Sequence, residues 1–215
     1  MSTNPSRVRT LAGERPRLTQ AERTALSDAR MFEAAMYLIV ERGTHNTTLK
    51  EVGEKAGYSR GLASNRFGSK EILFGHLVRD FNEKWAAELA RFVGSNDGLA
   101  ALSGALDAVE FFLLNRTSQM QAMYILWFES ITSYPLVRRR LAANHTAYRR
   151  DTARWISQGI AKDEVNPAVD PESFAVEFSA FIFGLVYQWL ASPSSINLHT
   201  VIQPYRENTL DRLKA

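Results

Sequence analysis

The sequence predicts an all-α protein. A three-helix N-terminal unit holding a helix-turn-helix is joined through a long fourth helix to a C-terminal helical domain. Three stretches carry that prediction. Residues 47–71, TTLKEVGEKAGYSRGLASNRFGSKE, divide into two short helices around a turn that contains glycine. Leu73, Leu77, Phe81, Trp85 and Leu89 recur every four residues, which makes one long apolar stripe on a helix. Between 174 and 189, apolar residues cover nearly every side of a further helix.

Composition narrows the chemistry. The 215 residues include no cysteine, which excludes a disulfide framework, a thiol nucleophile and a cysteine-held metal. The N-terminus has no apolar signal core. The longest nearly uncharged apolar run, 178–191, is too short for a bilayer. These features predict a soluble, cytoplasmic protein with no membrane partner. The net charge is +3, and its distribution is uneven. Residues 1–80 hold 13 Lys and Arg against 9 Asp and Glu, and the remainder holds 13 against 14. The positive excess therefore falls on the segment that carries the helix-turn-helix.

In chain order, residues 1–18 are polar, with Arg7, Arg9, Arg15 and Arg17, and read as a mobile basic arm. Thr19 and Glu22 form a capping box that opens the first helix, which ends at Gly43. Phe32, Ala35, Met36 and Ile39 give it a buried stripe. Thr48 and Glu51 form a second capping box; Leu49, Val52 and Ala56 line the inner side of that helix, and Gly57 stops it. Ser59 is the expected N-cap of a third helix over 60–66, ended by Gly68. Ser69 then caps the fourth helix, which runs from 70 to about 92 and closes in the turn 94–98. On the third helix Leu62 and Phe67 face inward, leaving Arg60, Gly61, Ser64 and Asn65 outward. An outward arginine suits guanine and an asparagine suits adenine. A glycine lets the backbone approach a base closely.

The segment ARMFEAAMYLIVERG…TTLKEVGEKAGYSRGLASNRFGSKEIL resembles the N-terminal DNA-binding domain of the TetR (tetracycline repressor) family. The match runs over about residues 28 to 75. It takes in the Glu-Arg-Gly exit of the first helix, the Thr-Thr start of the second, the Ala-Gly-x-Ser turn and Phe67-x-Ser69-Lys70-Glu71. The resemblance implies base contacts by Lys50, Arg60, Gly61 and Ser64, and phosphate contacts by Thr48, Arg66 and Lys70. The usual Leu-Tyr-x-His-Phe is here Ala63-Ser64-Asn65-Arg66-Phe67. Ser64 reaches less far than the usual tyrosine, and Arg66 supplies a phosphate donor where histidine is usual. A DNA-binding unit over 19–75 and a ligand-binding and dimerisation domain over 76–215 follow from the resemblance.

The C-terminal helices read as 99–115, 117–131, 135–161, one opening at Asp170-Pro171, and a last one capped by Asn197. The middle block is rich in aromatic residues with sparse polar groups among them. Trp85, Phe112, Tyr124, Trp127, Phe128, Glu129, His145, Tyr148 and Trp155 are candidate pocket residues, although the same composition also suits an ordinary core. The helix that is apolar all round needs cover on more than one side. That assigns Phe174, Phe178, Phe181, Ile182, Leu185 and Trp189, with Val201 and Tyr205 of the last helix, to a homodimer interface. The resemblance implies the same four-helix contact.

The leading expectation is a ligand-responsive homodimeric transcriptional regulator, a repressor released from a palindromic operator by a small apolar or amphipathic effector. Two alternatives stand beside it. One is an all-helical enzyme using Glu129 and His145; the other is a helical interaction module with a vestigial helix-turn-helix. No nucleophile elbow, phosphate loop or HExxH spacing supports catalysis. His45, His76, His145 and His199 lack metal-ligand spacing, so neither metal nor cofactor is expected.

Overall fold

A computed structural model of the chain describes residues 19–214. The expected arm at 1–18 lies outside the described residues. The described chain is helical with no strand: α1 Gln20–Arg42, α2 Leu49–Lys55, α3 Leu62–Phe67, α4 Lys70–Val93, α5 Gly98–Asn115, α6 Thr117–Ser130, α7 Pro135–Ala161, α8 Pro171–Ala191 and α9 Leu198–Leu213.

The helix starts follow local hydrogen bonding. Thr19 accepts from the Glu22 N–H while the Glu22 carboxylate accepts from the Thr19 N–H at 2.7 Å, a complete capping box. Thr48 accepts from the Glu51 N–H, but the Glu51 carboxylate meets the Thr48 hydroxyl and Arg42 instead of the cap N–H. Ser69, Asp170 and Asn197 each accept from the N–H three residues on. The third helix departs from expectation. It begins at Leu62, its N-cap is Gly61, and no side chain caps it. Ser59 contributes its backbone carbonyl to the turn, accepting from the Leu62 N–H.

The head is built by α1, α2, α3 and the start of α4 around Met31, Ile39, Val52, Ala63 and Leu73, all with no exposed surface. Burying each of the larger ones contributes about 1.5–3 kcal/mol. Ala63, rather than Leu62, is the deeply buried residue of α3, because Leu62 retains partial exposure. Gly53 sets how closely α2 and α3 approach: an added Cβ would lie 2.8 Å from the Ser59 carbonyl oxygen. Gly57, at φ +81°, makes the turn between them.

The body is a helical bundle with α5 at its centre, packed against α4, α7 and α9, while α7 lies along α8. Head and body meet where α4 passes from one to the other and where α1 packs along α6. α5 and α8 are each long and apolar enough to cross a membrane, since α8 extends beyond the 178–191 run. Both pack into the bundle. α5 buries ten residues, including Phe112 and Leu113.

Candidate nucleic-acid interface and ligand cavity

On the head, Thr48, Lys50, Arg60, Gly61, Ser64 and Asn65 are all exposed, on the first turn of α2 and the outer side of α3. They stand outside because Ala63 and Phe67 are drawn into the core, and Phe67 packs on Phe32 with ring centroids 6.0 Å apart. Arg60 keeps 72 % of its side-chain surface and pairs with Glu54 of α2. Two of the expected phosphate contacts already have protein partners. Arg66 donates to Asp28 of α1 at 3.0 Å. Lys70 Nζ donates to the Thr44 and His45 carbonyls at 2.9 and 3.1 Å. Guanidinium and ammonium each keep further donors after these bonds; Arg66 ties α3 to α1, and Lys70 holds the turn after α1.

In the body, an aromatic cavity lies among α4, α5, α6, α7 and α8. Trp85, Tyr124, Trp127, Tyr148 and Trp155 line it, as the sequence suggests. Phe112, Phe128, Glu129 and His145 do not line this cavity. Phe112 is fully buried behind it, edge-on to Phe81 and Trp85 at 5.4 and 5.6 Å. Phe178 and Ile182, assigned from sequence to a dimer contact, also line the cavity. Asp151 also lines it, paired with Arg154 at 3.1 Å, and periodicity carries no signal for it. The hydroxyls are engaged: Tyr148 donates to Asn82 at 2.6 Å and Tyr124 to the Phe183 carbonyl at 3.2 Å. Burial pushes both phenols above the usual tyrosine range. The free volume is only about 90 Å³.

A second hollow of about 360 Å³ adjoins it and shares Tyr124, Trp127 and Phe183 as a common wall. Phe128 and His145 belong here. His145 packs edge-on against Trp127 at 5.5 Å and tilted against Phe183 at 4.8 Å. Burial, then the Arg149 charge, holds its imidazole below the usual histidine range.

Glu129 has a different place. It stands at the end of α6 and accepts from the hydroxyl of Thr44, a fully buried residue in the turn between α1 and α2. Thr44 Oγ1 also lies 3.1 Å from the Tyr134 hydroxyl. Tyr134 adopts the left-handed conformation at φ 56° between α6 and α7, with its ring edge-on to Phe74 at 5.2 Å. Glu71 accepts from the Leu136 N–H at 2.7 Å, and Arg140 donates to the Gly75 carbonyl. The α6–α7 junction thus grips the turn that precedes α2 and the first turns of α4. Thr44 and Tyr134 carry no signal in the sequence, because the contacts that define them span 85 to 90 residues.

The expected dimer residues divide. Phe174, Phe178, Leu185 and Trp189 are 5–8 % exposed within the single chain, so they pack on its own core. Phe181, Ile182, Val201 and Tyr205 are partly exposed, and Phe181 stacks on Tyr205 with centroids 3.4 Å apart. The bare side of α8 carries Val176, Ala180, Tyr187 and Ala191. Among the described residues, no group of three or more acidic or histidine side chains is placed to hold a metal ion.

Comparison with known proteins matches both halves. Residues 32–77 fit the sequence model described as "Bacterial regulatory proteins, tetR family", and residues 124–203 fit "Tetracyclin repressor-like, C-terminal domain". The chain is 25 % identical over 191 residues to the probable HTH-type transcriptional regulator ArpR of Pseudomonas putida, covering 86 % of this chain and 90 % of that one. It is 24 % identical over the same length to the HTH-type transcriptional regulator TtgR of Pseudomonas putida, with the same coverage. The crystal structure of NalD, the secondary repressor of the MexAB-OprM multidrug efflux pump in Pseudomonas aeruginosa, superposes with a TM-score of 0.72 at 21 % identity. That superposition covers 90 % of this chain and 98 % of NalD.

Proposed function

The chain belongs to the tetR family of bacterial regulatory proteins, and we propose that it works as a homodimeric repressor, without enzymatic activity, in the bacterial cytoplasm. Two copies of α3 enter successive major grooves of a palindromic operator, reading bases with Lys50, Arg60, Gly61, Ser64 and Asn65. Thr48, Arg66 and Lys70 hold the phosphates on either side. The bare side of α8, with Phe181 and Tyr205 at its edge, meets its mate. A small apolar or amphipathic effector enters the body and releases the DNA.

One observation carries this reading. α4 lines the effector cavity through Phe81, Trp85 and Leu89, and its first turn holds the head through Lys70. A ligand that spreads the cavity must displace the same rod that positions α3. Its leverage equals its difference in affinity between the two arrangements. The test is selection of genomic fragments by the purified protein, followed by footprinting. The expected outcome is a footprint with dyad symmetry and half-sites about one helical turn apart. Fragments with no shared sequence would refute it.

A further inference from the structure

The two adjoining hollows differ in a way that points to the chemistry of the effector. The aromatic cavity has about 90 Å³ free, and its hydroxyls are already bonded. The neighbouring hollow has about 360 Å³, within the range of small-molecule sites. Two residues of its wall, Trp127 and His145, each hold a buried nitrogen, Nε1 and Nε2, that finds no partner among the described residues. Each stands without the hydrogen bond that burial normally demands. An indole N–H only donates, so Trp127 requires an acceptor. The chargeable side chains lining this hollow are Arg138 and His145, besides the Tyr124 phenol; no carboxylate lines it among the described residues.

We infer that this hollow takes the carboxylate of an amphipathic acid, which accepts from Trp127 Nε1–H and from His145 in its Nε2–H form, while the hydrocarbon part lies within the hollow along the Trp127–Phe183 wall. This names the effector class within the regulator reading above, and rests on it. Asp151 does not turn the site toward a cation. Its charge is already met by Arg154 at 3.1 Å and Arg150 at 3.9 Å. The hollow also borders the gripping junction: Ile131 lines it, and the Ile131 carbonyl accepts from Arg138 at 3.1 Å, three residues before Tyr134. An occupant there presses directly on the segment that holds the Thr44 turn.

The experiment is titration calorimetry of the full chain with dodecanoate and with dodecyltrimethylammonium, probes of equal tail and opposite charge. The wild type should prefer the carboxylate by at least about tenfold. Trp127→Phe keeps the ring packing but removes the N–H, and should erase most of that preference. His145→Leu tests the second contact if the first variant folds poorly. Equal affinity, a preference for the ammonium, or a preference that survives both substitutions overturns the inference. Operator release is measured alongside. If another apolar compound releases DNA while the carboxylate shows no preference, the inference falls and the regulator stands. If the carboxylate is preferred but no duplex is bound specifically, the site stands and the regulator reading falls.

Discussion

α3 and α6 make an instructive pair. α3 is six residues long, buries Ala63 and Phe67, and leaves most of its remaining surface to solvent. α6 is fourteen residues long and is occupied on almost every side. It sends Met123 and Leu126 into the core, Tyr124 and Trp127 into the shared cavity wall, and Glu129 into the head. Under the proposed function, a change on the outer side of α3 therefore touches one partner, the DNA. A change on α6 touches packing, ligand and inter-domain grip together. In the proposed function, reading and sensing sit in different helices, and they are joined through α4 and the α6–α7 junction.

That separation can be broken or sharpened by substitution. The largest effect is expected from Val176→Glu combined with Tyr187→Glu on the bare side of α8, where both residues are more than half exposed. Sedimentation should show monomers, and operator affinity should fall by about 100-fold or more through lost avidity, while effector affinity is retained. Dimers that persist would remove this face from the interface. Leu185→Glu is a poorer test, because Leu185 is buried in its own chain and the variant would unfold. Next, Arg60→Ala should cost about 1–3 kcal/mol of operator binding and relax preference at one base pair, with effector binding unchanged. Equal loss on operator and random duplex would take base reading away from Arg60.

Glu129→Gln should act on the coupling. It leaves the Thr44 hydroxyl an acceptor but removes the charge, so the ratio of operator affinities with and without effector should change by about 1 kcal/mol. The smallest effect is expected from Arg66→Ala. Its pair with Asp28 is partly exposed, worth about 0.5–1 kcal/mol of head stability by chemical denaturation, with a slightly flatter salt dependence of DNA binding.

The same contrast explains what could be read from the sequence. The head was legible because its signals are local: Thr48 three residues before Glu51, glycine at 57, Ser69 ahead of α4. The misreading of Ser59 as a cap arose because the backbone carbonyls of Ser59 and Gly61 start α3 and no side chain does so. In the body, helix boundaries were legible but destinations were not. Glu129, His145 and Tyr148 all looked like polar groups among aromatics. Only the packing of α6 against α1, and of α7 against α4 and α8, sends one to the head, one to the second hollow and one to the cavity. Phe178 and Leu185 looked like surface for a partner because an all-apolar helix does not reveal which side its own chain covers.

The most direct test is fluorescence anisotropy of a duplex from the DNA flanking the gene for this protein, titrated as salt rises, with a random duplex alongside. The account predicts tight binding that falls steeply with salt and favours the flanking duplex by about 1,000-fold or more. Weak binding that is equal on the two duplexes would contradict it, because α3 would then present its polar face to DNA without reading it.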